Sequence, residues 1–436
     1  MGRLRRRTKA GYGLAELGVS AAELMLQVYL LELYIVAGLD PFLAGLALAI
    51  AVVWDAVSDP LMGVISDRTR ARSLAGKRLP YYFGGTVLLC ISVWSLFSPN
   101  ADAAQSSLFA YLLFWYLLVN TAMTLVAVPH LAMANDLGHE RQERTELFGW
   151  RLGFGALGLL FALLVPLWVA GGNAAGVEEI RAESGFVVAL LLLVVCLVSG
   201  FAVWRPLARS KASAEQESRE GLFKMFKLAM KSRGLRLLIW AFVFISIGRA
   251  FNSSLALIFY KGTLAFTEEQ VGLVLIVLAV SIIAAAPAYV KLAERRSKRK
   301  LSLWAVGALT VLTAFSYPFL PERAVGPVLL IAILGGAAVA SVALLEAMFS
   351  DEVDKVERRE GEKASGACFG IWRMSMKAAR AGGLLCSGWF LAAVGYEEGI
   401  AEQSEFVERS VAWAFGPGVA VFFGIGWFVL SRKNRL

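Results

Sequence analysis

Two aspartates, Asp55 and Asp59, lie one helical turn apart in a stretch that is otherwise apolar enough to cross a membrane. Each carboxylate costs about 2.5 to 3.5 kcal/mol at the centre of a membrane helix, so such a helix needs a partner cation or a polar cavity. The spacing of four residues lets both side chains converge on one ion. The pair predicts a cation site. The alternative is a turn at Asp59 and a simple ion pair between Asp55 and a basic residue.

The composition sets the class of protein. Of the 436 residues, 58% are hydrophobic and only 18% are charged, which does not describe a soluble domain. Apolar stretches of about 20 residues, the length that spans a bilayer, are centred near residues 27, 52, 90, 119, 159, 194, 247, 277, 310, 336, 380 and 420. We therefore predict an all-α membrane protein with twelve transmembrane helices.

The distribution of charge predicts the orientation in the membrane. Most of the 43 Lys and Arg residues fall in the N-terminal segment, in every second loop and in the C-terminal segment. The loops on the opposite side are acidic or nearly uncharged, as at Glu178, Glu179 and Glu183. The positive-inside rule then places both termini in the cytoplasm, as expected in a bacterial inner membrane. The net charge of +9 reflects topology and contact with lipid headgroups, not a nucleic-acid partner.

The longest hydrophilic insert divides the chain into halves. We predict an N-terminal six-helix half at residues 1–204, a cytoplasmic linker at 205–236 and a C-terminal six-helix half at 237–436. Within the linker, residues 221–234 place apolar side chains at helical spacing opposite lysines. That pattern fits an amphipathic helix on the membrane surface or a plain linker. The turn after the eighth span is rich in basic residues, like the turn after the second span, which is a weak sign of an internal repeat.

Other charged residues lie within the predicted spans: Glu16, Glu23, Glu32, Arg151, Arg249, Glu346, Arg373, Lys377 and Arg380. The last three form one basic stripe on the eleventh span, opposite in charge to the stripe of Asp55 and Asp59. A cation bound at the aspartates would weaken their attraction to the basic stripe, as coupled carriers require. Lys377 is the deepest of the three, whereas Arg373 and Arg380 can reach the membrane interface.

Several short motifs carry a family resemblance. The main one is WDAVSDPLMG at 54–63, followed by SDRT at 66–69 and GKRLPY at 76–81; YG at 12–13, VP at 128–129, Arg151 and the DxxD of 351–354 also match. With these motifs the chain resembles the glycoside-pentoside-hexuronide:cation symporters of the major facilitator superfamily over nearly its whole length. The resemblance implies a major facilitator fold and a transporter without a cofactor. It would import an organic solute, such as a sugar or glycoside, by alternating access.

The same resemblance implies a site for the coupling ion, sodium or a proton. Its ligands would be Asp55, Ser58, Asp59 and Thr124, with the two aspartates holding the sodium ion and Lys377 matching the lysine of the eleventh span. All four ligand positions offer oxygen atoms, which suits a hard cation. Sodium-coupled members more often have Asn at the position of Ser58, so proton coupling stays open.

The substrate site matches that family less well. Ser20 and Ala127 stand where the melibiose-transporting members have acidic residues, and Leu131 and Val342 stand where they have tryptophans. Sugar sites combine several polar groups with an aromatic face. Residues 27–32 and 40–42 are also similar to the sodium-dependent lysophospholipid symporters of the same superfamily branch, so an amphiphilic substrate is the alternative. The candidate substrate-binding residues are Ser20, Glu23, Arg151, Glu346 and Lys377.

Four further residues suggest a gate. Asp351 and Asp354 are predicted to face Arg141 and Arg144 on the cytoplasmic side as a latch that opens with the inner gate, although single surface ion pairs are weak. We expect a monomer surrounded by membrane lipids.

One alternative comes from another functional class. Membrane prenyltransferases also carry aspartate-rich motifs, which hold magnesium and a diphosphate, and Asp351 and Asp354 could form the second motif. Those enzymes resemble bundles of about nine helices, whereas this chain has twelve predicted spans in two halves. The sequence also lacks Walker and Rossmann motifs, so ATP-driven pumping is not expected. We therefore expect a carrier and not an enzyme.

Overall fold

The computed structural model describes residues 4–68, 78–137, 141–171, 176–209, 232–360, 365–397 and 403–432. These residues are almost entirely helical and contain no strand. The chain divides into two compact units, Met1–Gln216 and Glu217–Leu436. The predicted bounds of the linker stay a prediction, and its proposed amphipathic helix lies almost entirely outside the described residues.

Within the first unit, the described residues form seven helices: α1 (Arg6–Val28), α2 (Leu30–Val36), α3 (Pro41–Arg68), α4 (Leu79–Leu96), α5 (Gln105–Leu137), α6 (Arg141–Ala170) and α7 (Val177–Arg209). Helices α1 and α2 meet at a bend of 48° and together are long and apolar enough for one span. The acidic stretch that the sequence places in a loop, around Glu178 and Glu179, is the first turn of α7. Acidic side chains favour this position because they complement the helix dipole.

The described residues of the second unit form eight helices: α8 (Arg233–Ile258), α9 (Glu268–Arg295), α10 (Lys298–Ser316), α11 (Val325–Val339), α12 (Val342–Glu360), α13 (Ser365–Val394), α14 (Glu405–Trp413) and α15 (Val419–Ser431). Short π-helical turns at Phe259–Thr263 and Ala414–Gly418 continue α8 and α14. Pro417 lies within the second of these turns and has no N–H to donate to a regular helix.

Each of the twelve predicted span centres falls on one of these helices. Within the described residues, nine stretches are long and apolar enough to cross a membrane, and the bent pair α1–α2 makes ten. The other two predicted spans are α3, whose well-described apolar part is Pro41–Asp55, and α13, which carries three basic residues. Both exceptions contain the charges that the sequence analysis singled out. The predicted all-α membrane protein is confirmed.

The two units repeat the same helix packing. In the first unit α1, its first span, packs mainly against α6 and α7, its fifth and sixth spans. In the second unit α8 packs in the same way against α13 and α15. The second and fourth spans also pair in each unit, as α3 with α5 and α9 with α11. This internal repeat is the arrangement expected of a transporter built from two related halves.

Glycines allow α1 and α6 to approach closely. A Cβ atom added to Gly13 would lie 2.7 Å from the carbonyl carbon of Trp150, and one added to Gly158 would overlap the backbone oxygen of Leu17. Small residues at such contacts replace the hydrophobic driving force that membrane helices lack. The helix that carries Glu16 is thus held directly against the helix that carries Arg151.

This contact gives a first testable prediction. Gly158→Ala should lower the free energy of unfolding by about 1–3 kcal/mol, because the added methyl group forces the α1 and α6 backbones apart. The measurement is thermal unfolding of the purified protein in nanodiscs. The matched control is Gly153→Ala on the same helix, where an added Cβ meets no atom within 4 Å. Equal melting temperatures for the two variants would show that the backbone contact contributes nothing.

Candidate ion and substrate sites

Three of the four predicted cation ligands come together between α3 and α5. The hydroxyl of Thr124 lies 3.3 Å from Asp55 Oδ1 and 3.3 Å from Ser58 Oγ. Ser58 also donates to the backbone carbonyl of Asp55 over 3.2 Å. Ser58 and Thr124 are buried, with 7% and 3% of their surface exposed. Asp59 lies on α3 one turn beyond Asp55, and its side chain lies outside the described part of the structure.

Polar contacts fix the register of α3 on α5. Asn120 donates from its side chain to the carbonyl of Ala51 over 2.9 Å. One residue further along α5, Thr121 accepts a hydrogen bond of 2.9 Å from Trp54 Nε1. Thr124, one turn after Asn120, then lies opposite Asp55. The buried bond of Asn120 therefore places Asp55 opposite Thr124, whereas the bond of Trp54 is exposed.

This arrangement of oxygens can hold a hard cation. Ligand oxygens at about 2.3–2.6 Å from such an ion, at right angles to one another, lie roughly 3.3–3.7 Å apart. The separations of 3.3 Å from Thr124 Oγ1 to both Asp55 and Ser58 match that range. One carboxylate and two hydroxyls supply charge and neutral dipoles together, which a sodium ion needs in a largely buried site.

A second polar group lies between α1 and α6. Arg151 donates to Glu16 through two bonds, Nε to Oε2 at 2.5 Å and Nη2 to Oε1 at 3.1 Å. Ser20 is buried one turn after Glu16 on α1, and Glu23 is exposed on the same helix. The structure thus brings Ser20 and Arg151, two predicted substrate residues, to the same pair of packed helices. The ion pair with Glu16 was not predicted.

An aromatic stack around His130 adjoins α1. The His130 ring stacks on Tyr12, with ring centres 4.3 Å apart, and on Tyr82 at 5.6 Å. His130 Nε2 lies 2.9 Å from the carbonyl oxygen of Tyr12, and the Tyr12 hydroxyl donates to the carbonyl of His130 over 3.0 Å. The histidine is buried. It therefore packs α5 against α1.

A fully buried ion pair joins α2 to α7. Arg181 donates from Nε and Nη2 to Glu32 Oε2 over 3.0 and 2.9 Å, and its guanidinium also lies 4.3 Å from the ring centre of Tyr29. Arg181 has no exposed surface and Glu32 only 5%. Sequence reasoning identified Glu32 but missed Arg181, because the acidic residues around it indicated a loop.

In the second unit, two predicted substrate residues lie on adjacent helices. Glu346 lies on α12 and is exposed, whereas Lys377 lies on α13 and is half-buried. Trp372 connects the two helices through a tilted ring contact with Phe349, whose ring centre is 4.4 Å away. Glu346 also interacts electrostatically with Arg249 and Arg373. Glu346, Arg249 and Arg373, three of the charges that the sequence identified, therefore lie near one another.

The predicted gate residues are only partly described. Asp351 makes an ion pair of 2.7 Å with Lys298 on α10, a partner that sequence analysis did not predict. Asp354 is exposed. Arg141 and Arg144 lie on α6, but their side chains lie outside the described part of the structure. The latch stays a prediction.

A comparison with known families agrees with this fold and these motifs. The family model described as MFS/sugar transport protein matches residues 11–434, nearly the whole chain. The chain belongs to this family. The predicted relationship to cation symporters of the major facilitator superfamily is confirmed, and the family and fold are those of transporters and not of membrane prenyltransferases.

Individual relatives are distant. An uncharacterized symporter of Synechocystis is 29% identical over 251 residues, which cover 56% of this chain and 44% of that protein. YagG of Escherichia coli, a candidate glycoside/cation symporter, is 24% identical over 100% of this chain and 93% of its own. The sodium-dependent lysophosphatidylcholine symporter 1-B of Danio rerio is 32% identical over 34% of this chain and 27% of that protein.

Solved structures show the same fold. The nucleoside transporter NupG superposes with a TM-score of 0.72 over 99% of this chain and 100% of its own, at 14% sequence identity. At this identity the match establishes the major facilitator fold and says nothing of the substrate. The predicted fold class is therefore confirmed.

Proposed function

We propose that this member of the MFS/sugar transport family is a sodium-coupled symporter that imports an organic solute by alternating access, with a sugar or glycoside as its substrate. The observation that carries the proposal is the convergence of Asp55, Ser58 and Thr124 in a largely buried site. We place Asp59 in the same site because it follows Asp55 by one turn on α3. The carrier would act as a monomer in a bacterial inner membrane, with both termini in the cytoplasm.

Sodium is preferred to a proton for a structural reason. A proton needs only one carboxylate oxygen, whereas a metal cation needs several oxygen ligands around it. Ser58 and Thr124 supply two hydroxyls within 3.3 Å of each other beside Asp55, and a proton site does not require them. The relative from Danio rerio carries sodium dependence in its name, which agrees with this choice.

An amphiphilic substrate is the second candidate. It is favoured by the similarity to the lysophosphatidylcholine symporter of Danio rerio. The sequence identity to that protein is 32%, against 24% for YagG, but the matched region covers only 34% of this chain. The sugar candidate is supported by the family as a whole and by the match to YagG along the entire chain.

Lys377 belongs to the second unit, and its coupling to Asp55 stays a prediction.

Two threonines on α5 provide a test of the cation site. Thr124→Ala removes a hydroxyl that lies beside Asp55, so the apparent affinity for sodium should fall about tenfold, the effect of losing roughly 1.4 kcal/mol of polar interaction. The measurement is the rise in melting temperature with sodium concentration, for protein in nanodiscs with choline as the replacement cation.

The matched control is Thr121→Ala. Thr121 lies on the same helix and bonds Trp54 and the carbonyl of Leu117 instead of Asp55. Its replacement should leave the sodium titration as in the wild type. If both alanine variants shift the titration equally, or neither does, the assignment of Thr124 as a ligand is wrong.

A further inference from the structure

The first unit carries a groove of about 440 Å³ on its surface, where α4 and α6 end and α7 begins. Three of its lining residues are large aromatic side chains: Trp94, Trp168 and Phe186 keep 50%, 72% and 47% of their surface exposed. The rings of Trp94 and Phe186 meet edge to face, with their centres 5.7 Å apart. Aromatic rings exposed at the ends of membrane helices lie at the level of the lipid headgroups.

From this groove, α7 continues toward the middle of the membrane with an apolar face. Leu190, Val194 and Val198 follow Phe186 at intervals of four residues, so they form one row, and each keeps between 48% and 51% of its surface exposed. The groove therefore combines the two surfaces that a lipid molecule contacts. Its aromatic rim lies beside the headgroup, and the row on α7 lies beside an acyl chain.

The polar lining residues determine which headgroup charge the groove attracts. Glu183 and Ser98 both line it and are exposed. Ser98 donates its hydroxyl proton to the carbonyl of Trp94 over 3.1 Å, so its oxygen can still accept a hydrogen bond. The residues described as lining the groove include no Lys or Arg. The nearby Arg181 is buried and bonded to Glu32. The groove thus attracts a cation and repels an anion.

The chemistry of these groups favours a primary ammonium. The face of a tryptophan ring attracts any ammonium ion. A primary ammonium also has three N–H donors, so it can bond a carboxylate and a hydroxyl at the same time. The quaternary ammonium of phosphatidylcholine has no N–H to donate. Phosphatidylglycerol has a net negative charge, which the carboxylate of Glu183 repels.

We propose that this groove is a binding site for phosphatidylethanolamine. Glu183 and Ser98 accept hydrogen bonds from the ammonium group, which lies against the ring of Trp168. One acyl chain follows Phe186 and Leu190 along α7. The inference does not depend on which solute or coupling ion the carrier moves.

The second unit offers an internal comparison at the start of its own last span. A groove of about 380 Å³ on α14 is lined by Glu405, Phe406, Arg409, Ser410 and Trp413, so it also combines a carboxylate with exposed aromatic rings. Here the carboxylate of Glu405 is bonded to Arg409 over 2.5 Å. The guanidinium neutralises the carboxylate and repels an ammonium ion. This second groove should therefore show no preference for phosphatidylethanolamine.

The test is native mass spectrometry of the purified, delipidated full chain, titrated with phosphatidylethanolamine, phosphatidylcholine or phosphatidylglycerol of identical acyl chains. The wild type should bind phosphatidylethanolamine at least about fivefold more tightly than the other two lipids. Glu183→Gln should remove this preference, because charge-assisted hydrogen bonds become neutral ones. Trp168→Leu keeps an apolar side chain but removes the ring, and it should also weaken the binding of phosphatidylethanolamine.

The controls make the same changes in the groove of the second unit. Glu405→Gln and Trp413→Leu should bind phosphatidylethanolamine like the wild type. Glu183→Gln and Glu405→Gln should also melt like the wild type in nanodiscs, since another lipid fills the groove when the preferred one is lost. A change in lipid preference at an unchanged melting temperature separates lipid binding from a role in folding.

Three results would overturn the proposal. Equal affinity of the wild type for all three lipids would mean that the rings form only an interfacial aromatic belt. Phosphatidylcholine binding as tight as that of phosphatidylethanolamine would show that the N–H donors are not used. A preference that survives Glu183→Gln, or that Glu405→Gln abolishes equally, would place the bound lipid elsewhere.

Discussion

Asp55→Asn is expected to abolish sodium-driven accumulation of substrate. Asn keeps the size of the side chain and a contact with Thr124, but it removes the negative charge that Asp55 brings to the site. Breaking a buried charge interaction by removing one partner costs about 3–5 kcal/mol, so sodium affinity should fall at least about 100-fold. The measurement is uptake into proteoliposomes under an imposed sodium gradient, with the solute that stabilises the wild type as substrate.

The variant should remain folded. Without sodium, Asp55→Asn should melt at the same temperature as the wild type or higher, because a half-buried carboxylate has been neutralised. Substrate exchange without a gradient should persist. The control is Asp102→Asn, at an exposed aspartate in the connection between α4 and α5, which should accumulate substrate normally. Wild-type accumulation by Asp55→Asn would show that the coupling ion binds elsewhere.

Glu32→Gln is expected to cause the largest loss of stability. The substitution leaves Arg181 with a full charge and no exposed surface, an arrangement that costs about 3–5 kcal/mol. The melting temperature in nanodiscs should fall by several degrees or more. The control is Glu183→Gln, an exposed glutamate two residues beyond Arg181 on the same helix, which should melt like the wild type.

A double variant separates lost charge balance from lost packing. Glu32→Gln combined with Arg181→Met removes both charges and leaves no orphaned ion, so it should recover much of the stability that Glu32→Gln loses. A single variant as stable as Glu183→Gln would mean that the pair is not energetically coupled. A double variant less stable than the sum of both singles would point to packing on Tyr29 instead.

The fold was largely predictable because hydropathy is a local property. Every predicted span centre lies on a helix, since about 20 apolar residues in sequence suffice to define a span. The bend at Tyr29 and the π-helical turn at Phe259–Thr263 were not predictable. Neither segment contains proline, and the contacts of Tyr29 with Arg181 and of Phe259 with Phe415 join residues far apart in the sequence.

The cation site was predictable for a different reason. Asp55 and Ser58 lie within one motif, and the family resemblance supplied Thr124, which is 69 residues from Asp55. The pairs Glu16–Arg151 and Glu32–Arg181 join residues 135 and 149 positions apart. No periodicity links such residues, and Arg181 was hidden in an acidic stretch that is in fact the start of α7.

The most direct test of the proposed site is equilibrium binding of radioactive sodium to the purified protein in nanodiscs. The proposal predicts saturable binding by the wild type and by Thr121→Ala, weaker binding by Thr124→Ala and none by Asp55→Asn. Absence of saturable binding in the wild type, or equal binding by the wild type and Asp55→Asn, would contradict it.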